Sequence, residues 1–195
     1  MHTHPEIHIE MDLSDKRVDM IAEGFDVAIR IGNLTDSSLI AKKISSVSVV
    51  PTAAPGLIAQ WPQLNHPDDL VNMPALAYGN DRSHHDWSYT GPDGKSGSLH
   101  ITPRMSANNG DVLRDLAIAG LGMVSLPTFL HYEAINKGLL KPLFPAYQWS
   151  GFDIFVVYPK TTILPKRTRV FVDFIAGLYG KTPYWEDING LALTG

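Results

Sequence analysis

Pro5-Glu6-Ile7-His8-Ile9-Glu10-Met11 and, further on, Asp26-Val27-Ala28-Ile29-Arg30-Ile31 decide how this chain reads. Both stretches alternate apolar and polar residues at the strand period of two. Between them Ser14 suits an N-cap, Val18, Ile21 and Ala22 recur at helical spacing, and Gly24 suits the residue after a helix end. A strand over 6–12, a helix and a strand over 26–31 make a βαβ unit, which predicts a parallel sheet.

The same alternation continues outward. Residues 32–38 read as a loop, and 39–50 as a long β-prone segment broken by Pro51-Thr52-Ala53-Ala54-Pro55. Pro67 marks a helix start, Leu76-Ala77-Tyr78 a short strand, and the polar stretch 79–98 a loop and hairpin with Trp87–Tyr89 as one arm. Strands flank Pro103. A helix carrying Leu113, Leu116 and Ala117 is closed by Gly120 and Gly122. Met123–Leu126 is a strand, Pro127 opens a helix, Phe152–Tyr158 is an apolar strand, and Pro165 opens a helix striped by Val170, Phe171, Phe174, Ile175 and Leu178. Strands alternating with helices predict an α/β fold.

Composition narrows the function. In 195 residues there is no cysteine, which excludes disulfides, thiolate metal sites and a Cys nucleophile. Lys and Arg number 16 against 20 Asp and Glu, so the chain by itself lacks the basic balance of a nucleic-acid binder. Its apolar runs are too short to span a bilayer, and its first residues lack the basic and apolar regions of a signal peptide; the expected compartment is the cytoplasm. Gly94-Lys95-Ser96 has Tyr89 where a phosphate-binding loop needs glycine, and Gly120-Leu121-Gly122 follows a helix instead of a strand. No Gly-x-Ser-x-Gly elbow occurs. His2, His4, His8 and the pair His84-His85 lack metal-ligand spacing and read as loop histidines. Neither catalytic residues, a metal nor a cofactor is expected.

Three places could meet a ligand. Asn108-Asn109-Gly110-Asp111 lies between a strand and a helix, where free N–H groups attract anions or where Asn109 or Asp111 simply caps. Ser14 is a cap or a hydroxyl at a strand's carboxyl end, where open α/β sheets bind ligands. Arg30, inside an apolar alternation, is a carboxylate partner or an outward surface charge.

Taken in order, several segments resemble LysR-type transcriptional regulators: Pro5–Met11, Asp19–Ala22 with Glu23–Gly32, Ser37–Lys43, Ser106–Asp111, Ala117–Pro127 and Val156–Pro159. The resemblance runs from Pro5 to about Tyr179 and is carried by the set, not by any single motif. It implies the family's effector-binding domain, a two-lobed α/β fold like type II periplasmic binding proteins. Lobe one would hold residues 1–50 and 127–195 and lobe two residues 51–126, with crossings near Val50-Pro51 and Leu126-Pro127. The matched stretch would lack the first β–α unit of lobe one, leaving an open sheet edge. It would also lack the helix-turn-helix, so this chain would not contact DNA directly.

Carried over by position, the resemblance implies an inter-lobe effector site with Ser14, Arg30, Gly32, Asn108, Asn109, Leu126 and Pro127. The expected function is sensing of a small anionic or aromatic effector, not catalysis, with a homodimer or a full-length regulator as protein partner. The alternative is a truncated dimerisation module that pairs with a full-length regulator without binding ligand. A membrane partner is not expected.

Overall fold

A computed structural model describes residues 4–13, 19–32, 38–79, 85–161, 163–179 and 183–188. The chain divides into two compact units: Met1–Ser45 with Asp153–Gly180, and Ser46–Phe152 with Lys181–Gly195. These boundaries differ from the expected 1–50/127–195 and 51–126, because residues 46–50, 127–152 and 181–195 group with the second unit.

The first unit is built on a three-stranded sheet in the order β1 (Ala28–Ile31), β11 (Phe152–Pro159), β2 (Leu39–Val47). The final helix, α4, spans Lys166–Leu178. β1 runs antiparallel to β11, with Arg30 opposite Phe155. This corrects the expected parallel βαβ pairing: β1 takes as its partner a strand from far along the chain. The expected strand over 6–12 is also absent; residues 7–13 have no strand pairing, and Met11 and Leu13 are exposed. The helix expected after Ser14 lies partly outside the described residues, and 20–24 form turns.

The apolar alternation of β1 remains, but Ile29 and Ile31 are exposed and Ala28 and Arg30 half-buried. On α4, Val172 is buried whereas Phe174 and Leu178 point outward. The stripe predicted there is therefore only partly covered. Ion pairs Lys43–Asp153 (2.6 Å), Lys42–Asp173 (3.1 Å) and Arg167–Asp26 (3.4 Å) tie the strands, α4 and the turn before β1. All are exposed and contribute little.

The second unit has a five-stranded sheet in the order β7 (Pro103–Ala107), β4 (Ala75–Tyr78), β8 (Met123–Pro127), β3 (Val49–Ala53), β9 (Lys141–Pro142). β4 is parallel to β7 and β8, whereas β3 is antiparallel to β8 and β9. Pro51 was expected to break a strand; it lies inside β3. Its missing N–H costs one ladder bond, yet its carbonyl still accepts the Leu143 N–H at 2.8 Å.

Helices α2 (Gly110–Ile118) and α3 (Thr128–Asn136) cover the sheet, and Leu76, Leu113, Ala117, Val124, Leu126, Ala134, Ile135 and Leu140 form their shared core. Gly110 lets the two helices approach closely: a Cβ would stand 2.4 Å from Leu130 Cδ1 of α3, so the Leu130 side chain would have to shift. Arg114 fastens the same contact by donating to the Leu130 carbonyl at 3.2 Å while pairing with Asp111 and Asp115.

A smaller sheet, β10 (Gln148–Trp149), β5 (Asp86–Thr90), β6 (Ser96–His100), holds the predicted hairpin arm. Tyr89 lies across Gly97 so closely that a Cβ would meet the ring at 2.5 Å. Its hydroxyl donates to Asp68 at 2.8 Å, and burial followed by that neighbouring carboxylate pushes the phenol up to about 12. Between β3 and β4 lie the short helix α1 (Pro55–Ile58) and a 3-10 helix, Pro67–Asn72. The latter begins where expected, with His66 and Asp69 forming a capping box.

Candidate functional site

Three chain segments meet at the start of α3. β3 and β8 pair antiparallel, Val49 opposite Pro127 and Val50 opposite Leu126. Pro127 then turns the chain into the helix from its N-cap position, supplying a fixed φ of −55° and no N–H to satisfy. Thr128 N–H donates to the Ser48 carbonyl at 2.9 Å, so the crossing strand is bonded to the helix start. From the chain's far end, Glu186 Oε1 accepts both the Ser48 N–H at 2.8 Å and the Thr128 hydroxyl at 2.7 Å. A carboxylate in that place is favoured by both donors and by the positive end of α3. One turn along, His131 is 1% exposed, with Nδ1 3.3 Å from Thr52 Oγ1. Burial first, then the Arg114 charge, pushes its pKa down to about 3, so the ring is neutral.

The expected residues fall as follows. Ser14 lies outside the described residues. Arg30 is half-buried in β1. Gly32 adopts φ +106°, a conformation that favours glycine, and its N–H donates to the Asp153 carbonyl at 2.9 Å beside the Lys43–Asp153 pair. Asn108 is exposed just after β7. Asn109 is the α2 N-cap, its side-chain oxygen accepting the Val112 N–H at 3.0 Å, which is the capping role among its two readings. Leu126 is fully enclosed in the core, and Pro127, next along, is half-buried.

Arg30 and Gly32 thus belong to the first unit, and Asn108, Asn109, Leu126 and Pro127 to the second. Ser48, Thr128, His131 and Glu186 were not singled out by sequence reasoning. The only signal for Thr128 was its place after a helix-opening proline; nothing local marks the others.

Two open grooves also occur in the second unit. One, of about 430 Å³, has Ser88, Thr90, Ser96, Gln148 and Ser150 along it; the other, of about 500 Å³, runs between Pro55–Gln60 and Ile118–Gly120. Neither is lined by an expected residue. Among the described residues no group of three or more His, Cys, Asp or Glu could hold a metal, and no helix is long and apolar enough to cross a membrane.

Comparison with known proteins places this architecture. The chain is 35% identical over 175 residues to an uncharacterized HTH-type transcriptional regulator of Haemophilus influenzae, covering 89% of this chain and 60% of that protein. It is 29% identical over 181 residues to the HTH-type transcriptional regulator PtxR of Pseudomonas aeruginosa, covering 92% and 57%. The chain thus spans less than two thirds of the length of these relatives, which are transcriptional regulators and not enzymes.

The regulatory domain of AphB in Vibrio vulnificus superposes with a TM-score of 0.75 at 29% identity, over 90% of this chain and 86% of that one. Full-length AphB of Vibrio cholerae, a virulence activator of the LTTR protein family, gives 0.78 at 29% identity, over 91% and 60%. The fold is the α/β, type II periplasmic-binding-protein-like one of these regulatory domains. With residues 1–179 matching the family model described as "LysR substrate binding domain", the chain belongs to the LysR substrate-binding domain family of transcriptional regulators.

Proposed function

We propose that this domain senses a small anionic or aromatic effector on behalf of a cytoplasmic, DNA-binding regulator longer than this chain, without contacting DNA or a membrane itself. The observation that carries the reading is the match of residues 1–179 to the substrate-binding domains of such regulators. Support for an anionic effector comes from the donors at the start of α3, which already hold a carboxylate. Arg30 supplies a cation and Gly32 a backbone that a ligand can approach closely; Asn108 offers an exposed amide, Asn109 and Leu126 hold α2 and Pro127 in place, and Ser14 adds a hydroxyl. The effector acts by binding one conformation of the regulator more tightly than another.

Titration calorimetry against aliphatic and aromatic carboxylates tests this. The expected result is binding by this chain that is lost in Arg30→Met. Binding only by a chain extended at its N-terminus would show that further residues complete the site. No binding by either refutes the sensing role.

One observation favours a second reading, the dimerisation module. Ile29 and Ile31 of β1 and Phe174 and Leu178 of α4, all in the first unit, are exposed apolar side chains that a protein partner would cover. Co-purification with a full-length regulator in the absence of effector would support it, and a monomeric chain that fails to co-purify would exclude it.

A further inference from the structure

Pro183–Ile188 runs along α3 as a strap. Trp185 meets Phe129 edge-on at 6.1 Å and Tyr184 meets Tyr132 at 5.4 Å, while Ile188 is buried against the α2–α3 core. Asn136 Nδ2 donates to the Asp187 carbonyl at 3.3 Å. The strap's charged anchor is Glu186, whose Oε1 takes both Ser48 N–H and Thr128 Oγ1–H. Its Oε2 is buried and has no hydrogen-bond partner among the described residues. A buried carboxylate oxygen without a protein donor holds its place less firmly than one that is bonded.

The seat itself is rigid. Its N–H belongs to Ser48, held by the Thr128 bond, and its hydroxyl to Thr128, which is fully buried. It adjoins Pro127, one of the expected effector positions. A seat made of fixed donors at a helix start, filled by a carboxylate from the far end of the chain that is only half satisfied, has the character of a ligand site with an internal occupant.

We infer that Glu186 is an intramolecular competitor: the strap holds its carboxylate where a ligand carboxylate binds, and ligand binding displaces Glu186 and frees the strap. This rests on the sensing reading above and deepens it to a carboxylate ligand with a built-in antagonist. A competing group at high effective concentration lowers apparent affinity by the fraction of time it occupies the seat.

The test uses the whole chain labelled with 5-fluorotryptophan, with the Trp185 resonance assigned by Trp185→Phe, and benzoate as the probe. Benzoate at saturation is expected to move the Trp185 resonance toward its solvent-exposed position. The half-saturating concentration should fall at least about tenfold in Glu186→Ala, because the competitor is gone. Thr128→Val added to Glu186→Ala should abolish the binding. If the alanine variant fails to fold, Glu186→Val, which has no acceptor and is too short to reach the seat, is read in the same way.

Equal affinity in parent and variant, an unmoved Trp185 at saturation, or no benzoate binding to either overturns the inference. The calorimetric panel separates the two ideas. An effector found there while benzoate fails here leaves sensing intact and removes the strap; no effector for either chain length removes sensing itself.

Discussion

Asn109→Ala separates a structural from a ligand-binding asparagine. The Asn109 side-chain oxygen accepts the Val112 N–H at 3.0 Å, and its carbonyl accepts Leu113 N–H at 3.3 Å, so the residue begins α2. Alanine keeps the carbonyl and deletes the side-chain acceptor. Val112 is exposed, so water replaces the lost partner and the N–H is not stranded in an apolar interior. The cost therefore belongs at the middle of the usual range for a lost cap, about 1 kcal/mol.

That loss reaches the core, because α2 buries Leu113 and Ala117 completely and packs Gly110 against Leu130. It should appear as a midpoint lowered by roughly 2–4 °C, or as a shift in urea midpoint at constant slope. Asn109→Ser, whose hydroxyl also caps, should recover most of it. The assay is thermal and urea unfolding of the three proteins by circular dichroism, with calorimetric titration of any effector alongside. Serine as damaging as alanine, or alanine within about 0.3 kcal/mol of the parent, would refute the capping argument; lost effector affinity with unchanged stability would move Asn109 to direct ligand contact.

Leu126→Ala should destabilise by about 2–5 kcal/mol in urea unfolding, because a fully enclosed side chain in the α2–α3 core leaves a cavity. Gly97→Val should push the Tyr89 ring aside, break its bond to Asp68 and cost about 1–3 kcal/mol; a Tyr89 absorbance that still titrates well above the usual range would contradict this. His131 has a folded pKa near 3, below the unfolded value of 6.5. Below pH 6.5 the unfolded chain therefore binds a proton that the folded chain refuses. His131 thus lowers stability as pH falls from about 6.5 toward 3, with a slope of about 1.4 kcal/mol per pH unit. His131→Leu should remove that share of the acid sensitivity, seen as a flatter midpoint-versus-pH curve.

Most elements of the second unit were legible locally. Pro127 opens a helix, His66-Pro67 begins a 3-10 helix, Gly120 follows a helix end with φ +78°, and Trp87–Tyr89 forms a hairpin arm, because each depends on residues within a turn or a strand of itself. The first unit was less legible. Ile7, Ile9 and Met11 alternate as a strand does, yet alternation describes a face and not a neighbour, and residues 7–13 pair with nothing described. The same limit applied to Pro51, whose strand is held on both sides by β8 and β9 despite the missing donor.

By itself, the sequence determined the α/β class, the absence of cysteine chemistry, and the ordered set of segments that marks a LysR substrate-binding domain; these depend on composition and short-range pattern. Only the tertiary structure decided that β1 pairs antiparallel with β11, that Leu126 is enclosed while Pro127 stays reachable, and that Glu186 sits on Ser48 and Thr128. Those bonds join residues 138 and 58 positions apart. No local rule encodes such contacts, because they form when packed apolar surfaces bring distant backbone donors and a carboxylate to the same place.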